Sequence, residues 1–100
     1  MMAAADRPYQ LKLFISGNGL RSARAIVNVR RICEEHLPGR YHLDVIDITL
    51  HPASARAEQL IAVPTLIKSQ PLPVRRFIGD MSRTDSIVSG LELEPVAGPD

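Results

Sequence analysis

The residues able to do chemistry in this chain are few and scattered. Cys33 is its only cysteine, which excludes a disulfide framework and a cysteine-rich zinc site. His36, His42 and His51 lack the paired spacing that lets two imidazoles reach one ion, so neither a metal nor another cofactor is expected. Asp44 and Asp47 stand three apart, which on a strand places them on opposite faces and prevents their acting as a carboxylate pair. Ser16-Gly17-Asn18-Gly19 could present backbone N–H groups to an anion, but it lacks the lysine and the length of a phosphate-cradling loop and reads as a turn. Arg21, Arg24 and Arg31 form a stripe at helical spacing, suited to an acidic partner or, more simply, to a solvated helix face.

The elements that must position these groups follow from hydrophobic periodicity. Tyr9, Leu11, Leu13 and Ile15 alternate with Gln10, Lys12 and Phe14 between Pro8 and the Ser16–Gly19 turn, the pattern of a first strand. From Leu20 to Leu37 the period is helical, with Ala23, Ile26, Val27, Val29, Ile32 and Cys33 on an arc wide enough to imply contacts on more than one side. Pro38-Gly39 stops this helix, and Tyr41 to Ile48 reads as a second strand with a fully buried Val45-Ile46 centre, giving a parallel crossover. Pro52 suits the first turn of a short helix, Ala53 to Ile61.

Ala62-Val63-Pro64-Thr65-Leu66-Ile67 then begins a strand whose proline must sit at its start. Gln70-Pro71-Leu72-Pro73 is a stiff connector to a hairpin partner, Val74 to Ile78. Ser82-Arg83-Thr84-Asp85 has the form of a helix N-terminal box, and Gly90 stands where a positive φ would close the last helix. The order is βαβαββα: a single α/β domain over residues 1–100, with 1–8 and 94–100 as flexible tails.

One hundred residues, 45% apolar and 23% charged at net charge +1, support one core and exclude two-domain enzymes. No apolar run approaches the roughly 18 residues of a membrane span, and the start lacks the h-region of a signal peptide, so the cytoplasm is expected and a membrane partner is not. Residues 7–33 hold six bases and no acid, whereas residues 84–100 hold four acids and no base. With a pI near 8.0 and four aromatic residues, that asymmetry favours protein surfaces over nucleic acid.

The βαβαββα order with a proline at the start of the third strand resembles the thioredoxin-like fold. A redox member needs a thiolate at the N-terminus of its first helix. The corresponding loop, Ser16 to Ser22, has no sulfur, and Cys33 far down the helix reads as a small buried hydrophobe. Leu11-Lys12-Leu13-Phe14-Ile15-Ser16-Gly17-Asn18, Ile61-Ala62-Val63-Pro64-Thr65-Leu66 and Pro73-Val74-Arg75-Arg76-Phe77-Ile78-Gly79-Asp80-Met81-Ser82 together resemble the KaiB family of circadian-clock proteins.

That resemblance implies a non-enzymatic protein that binds the hexameric clock ATPase KaiC and modulates its phosphorylation cycle. It also implies a fold switch between a resting homotetramer with a βαββααβ chain order and a thioredoxin-like monomer that binds the partner. Carried over residue by residue, His51, Arg56, Gln59 and Leu60 are expected to face the ATPase. Pro64, Pro71, Pro73, Gly90 and Glu92 are expected to take part in the switch, since X–Pro bonds isomerise slowly. The chain departs from the family at Arg56-Ala57-Glu58-Gln59, where an acidic pair followed by Asp-Lys is usual, and at Gly90-Leu91-Glu92, where the family has Gly-Leu-Asp. The adaptor KaiA and histidine kinases are further possible partners. The alternatives are a thioredoxin-like redox or transferase enzyme, disfavoured by the cysteine-free loop, and a KaiB-like sensor module of a signalling system.

Overall fold

The expected alternation folds as β1 (Tyr9–Ile15), followed by α1 (Leu20–His36), β2 (Tyr41–Asp47), α2 (Pro52–Ala57), β3 (Thr65–Gln70), β4 (Arg75–Ile78) and α3 (Thr84–Gly90). The computed structural model describes residues 8–93, so the expected tails lie outside the described residues apart from Pro8. The element order is βαβαββα, as read from the sequence, and not the βαββααβ alternative. The strands form one sheet of order β2-β1-β3-β4, with β2 parallel to β1, β3 antiparallel to β1, and β4 antiparallel to β3.

The central strands β1 and β3 carry buried residues on both faces. Leu11, Leu13 and Ile15 join Leu66 against Ala25, Val29, Ile32 and Cys33 of α1, with Met81, Ile87 and Leu91 closing the same core. Phe14 and Ile67, on the opposite face of their strands, are buried as well. Lys68 shares the core face with Leu11, and its ammonium lies 5.7 Å from the centroid of the Tyr9 ring.

Five sequence expectations need correction. Val45 and Ile46 are only half-buried, because β2 is an edge strand rather than an interior one. The buried stripe of α1 is narrow: Ser22, Ala25, Val29, Ile32 and Cys33 face the core, whereas Ala23 is exposed and Val27 is 63% exposed. The helix starting at Pro52 ends at Ala57 rather than Ile61, because Gln59 takes a positive φ of 54°. There Gln59 N–H donates to the Arg56 carbonyl and Leu60 N–H to the Ala55 carbonyl, the paired bonds of a Schellman cap.

The same cap closes α3, and here the expectation for Gly90 fails. Glu92, with φ 60°, is the left-handed residue; its N–H donates to the Ser89 carbonyl, and Leu93 N–H donates to that of Val88. Gly90 is the last helical residue. The expected N-terminal box is also absent: Arg83 is the N-cap, no side chain caps α3, and Ser82 N–H donates to Asp80 Oδ1.

Cys33 lies in the core, and burial pushes its thiol from 9.0 up to about 12, with Glu34 adding to the rise. A thiol held neutral is not a nucleophile. Because the folded thiol ionises later than the unfolded one, native stability declines as pH rises through the window from 9.0 to about 12. Cys33→Ala is expected to remove that part of the decline and to change stability at pH 7 by about 1 kcal/mol or less. Denaturant unfolding across this pH range checks both outcomes.

Candidate functional site

The C-terminal ends of β1 and β2 and the segment after them carry an exposed edge built on two carboxylates. Asp47, the last residue of β2, accepts at Oδ1 from Gly17 N–H at 3.1 Å, Thr49 N–H at 2.9 Å and Thr49 Oγ1–H at 2.7 Å. The Thr49 bonds, then that from Gly17, hold its carboxyl below the usual range, so it stays an acceptor at neutral pH. Its carbonyl also accepts from Leu50 N–H and His51 N–H. One residue thus ties the β1–α1 turn to the start of α2.

Glu58 anchors the other end of α2. Lys12, Ile67 and Arg76 form one row across β1, β3 and β4. Glu58 lies at that row, with Oε2 3.6 Å from Lys12 Nζ, Oε1 3.8 Å from Arg76 Nη2, and its carbonyl accepting from the same Nη2 at 2.6 Å. This pins a helix with no buried residue of its own to the sheet. Because the ion pairs are partly solvated, Glu58→Gln is expected to cost no more than about 1 kcal/mol of stability while speeding amide exchange at Gln59 and Leu60. Hydrogen exchange by NMR reads that local loosening.

The four residues expected to face a partner lie on this edge. His51, Arg56 and Gln59 are exposed and Leu60 is half-buried. The structure adds two that sequence reasoning missed: Leu50 at 72% and Ile61 at 88% exposure, the most exposed large apolar residues described. The sequence places Ile61 at the end of a helix; its exposure follows from the early cap at Gln59. Pro64, buried, follows this edge through a cis bond to Val63, and its carbonyl accepts from Gly79 N–H at 3.0 Å. The Gln70–Pro71 and Leu72–Pro73 bonds are also cis. Pro71, Pro73, Gly90 and Glu92 are not part of the edge: the first two lie in the β3–β4 connector and the last two at the end of α3.

In the first turn of α1, the buried Ser22 ties the helix to the end of β1. Its Oγ accepts from Ser16 N–H at 3.2 Å, and its hydroxyl donates to the Ser16 carbonyl at 3.4 Å. Among the described residues, no three His, Cys, Asp or Glu side chains converge on a common point as metal ligands do, and no helix is long and apolar enough to cross a membrane. The sheet order, the proline before β3 and the sulfur-free turn define a thioredoxin-like domain without a thioredoxin redox centre.

Comparison with solved structures agrees on the fold. The N-terminal domain of SasA from Synechococcus elongatus superposes with a TM-score of 0.70 at 23% identity, over 91% of this chain and 83% of that one. The thioredoxin Deadhead from Drosophila melanogaster gives 0.69 at 14%, over 88% and 85%. In sequence, the KaiB domain family matches residues 12–93. Circadian clock protein KaiB3 of Synechocystis sp. is 45% identical over 85 residues, covering 85% of this chain and 83% of its own length. Circadian clock oscillator protein KaiB of Thermostichus vulcanus is 41% identical over 92 residues, covering 92% and 85%. The chain belongs to the KaiB family.

Proposed function

We propose that this protein is a non-enzymatic docking component of a circadian-type timing system, which binds the ring of a hexameric KaiC-type ATPase through its α2 edge and modulates that enzyme's phosphorylation cycle. The observation that carries the reading is the edge itself: Leu50 and Ile61 are held out to solvent on a segment tied down by Asp47 and Glu58, in a chain of the KaiB family. An exposed apolar pair on a fixed frame suits a protein interface, because little order must be gained on binding. Relatives bearing the name circadian clock oscillator protein support the clock assignment.

The chain is further proposed to rest as a homotetramer in the family's βαββααβ arrangement and to bind its partner in the fold described above. Exposed Leu20 and Val27 on α1, beyond what the core uses, are consistent with an additional contact. Sedimentation across a concentration range tests the resting state. Size-exclusion chromatography with the KaiC-type ATPase of the same source, in ATP, tests the function. Co-migration is expected; no complex, together with catalysis of disulfide reduction, would transfer the protein to the redox class.

A further inference from the structure

Beyond the residues of the α2 edge, a cavity of 340 Å³ opens between α1, the loop after β4 and α3. It shares no lining residue with the α2 edge. Phe77, Met81 and Ile87 give it an apolar wall, with Met81 and Ile87 buried. Two exposed guanidinium groups line it, Arg21 from the first turn of α1 and Arg83 from the residue before α3. Neither has a carboxylate within ion-pair distance among the described residues.

The one acid in the lining is already engaged. Asp80 Oδ1 accepts from Ser82 N–H at 3.0 Å, and the Ser82 hydrogen bonds, followed by the charges of Arg24 and Arg21, keep its carboxyl below the usual range. Its ionised charge is shared among Arg24, Arg21 and Arg83, so the cavity keeps a net positive charge. A cavity of this size, lined by both apolar and polar side chains, is in the range that holds small ligands. Guanidinium groups pair with carboxylates through two parallel hydrogen bonds. Any anion seated on the arginines also faces Asp80, and a monoanionic carboxylate meets less repulsion there than a dianionic phosphate.

We propose that this cavity binds a small organic carboxylate, its charge held by Arg21 and Arg83 and its apolar body set against Phe77, Met81 and Ile87. The proposal uses none of the residues assigned to ATPase docking. The test is an NMR titration of the full ¹⁵N-labelled chain with phenylacetate, after cross-strand contacts between Leu13 and Leu66 verify the β1–β3 pairing. Saturable shifts are expected at Gly79, Met81 and Ser86, with a dissociation constant on the order of 1 mM.

Arg21→Gln combined with Arg83→Gln should weaken binding about tenfold, and the neutral phenylacetamide should bind about tenfold more weakly to the native chain. Ser86→Phe, filling the cavity from an exposed position on α3, should abolish the shifts. Non-saturating shifts, binding indifferent to the double arginine variant, or binding that survives Ser86→Phe would overturn the site. Phenyl phosphate binding more than tenfold tighter than phenylacetate would overturn its assignment to carboxylates.

Discussion

Ile61→Asp is expected to weaken capture of the KaiC-type ATPase about a hundredfold, with the fold unchanged. At 88% exposure the side chain contributes almost nothing to the core, so the substitution should move stability by no more than about 0.5 kcal/mol. At an interface the same residue becomes an apolar anchor, and an aspartate in its place both loses that burial and brings an unpaired carboxylate into a desolvated contact. Leu50→Asp, 72% exposed at the other end of the segment, should act in the same direction. Binding measured on immobilised hexamer, beside thermal unfolding of each variant, reads the two effects separately. Full binding by both variants would remove the α2 edge as the contact surface.

The second large effect concerns Gly90, and it is expected to depend on Phe77. Gly90 lies in the last turn of α3 without a positive φ, so alanine there should gain up to about 1 kcal/mol of helix stability. A Cβ at this position would, however, run into the Phe77 ring, with Cζ at 2.7 Å and Cε1 closer still. Phe77 is half-buried on the edge strand β4, so its ring can turn outward, but it surrenders packing against the core as it does. In a Phe77→Leu background Gly90→Ala should therefore stabilise the fold by about 1 kcal/mol, and in the native background by distinctly less.

Glu92→Gly should add about 1 kcal/mol independently, because it relieves a left-handed residue while keeping the cap. Since 1.4 kcal/mol is tenfold in a two-state population, these increments are large enough to move the proposed balance between a resting tetramer and the fold described here. Denaturant midpoints and sedimentation of the four combinations of the 77 and 90 substitutions give the coupling. An identical effect of Gly90→Ala in both backgrounds would mean that the ring does not constrain this position.

The path of the chain was legible because periodicity and punctuation agreed. Period two from Tyr9 to Ile15, period 3.6 after Leu20 and the Pro38-Gly39 stop each mark one boundary, and the element order follows. What escaped the sequence reading depends on neighbours. Val45-Ile46 reads as a buried pair whether its strand is central or at an edge, and only the sheet order decides that. The end of α2 and the cap of α3 escape the sequence because the left-handed residue falls on Gln59 and Glu92, which have no intrinsic preference for it, while Gly90, the residue with that preference, is the last residue of the helix and faces the ring of Phe77.

The site divides along the same line. His51, Arg56 and Gln59, named by family resemblance, are exposed, whereas the exposure of Leu50 and Ile61 depends on where the helix stops. The anchoring role of Glu58 required the register that sets Lys12, Ile67 and Arg76 in one row. The arginine stripe of α1 looked like a solvated face, and only the fold brings Arg21 into one lining with Arg83.

Docking of this fold through its α2 edge is tested most directly by hydrogen exchange of the full chain, alone and with the ATP-loaded KaiC-type hexamer of the same source. The expected result is slowed exchange across residues 50–61, greatest at the amides of Gln59 and Leu60, with the central strand 9–15 equally protected in both samples. Unchanged exchange at 50–61 in a sample where the complex has formed, with new protection confined to another face, would contradict it.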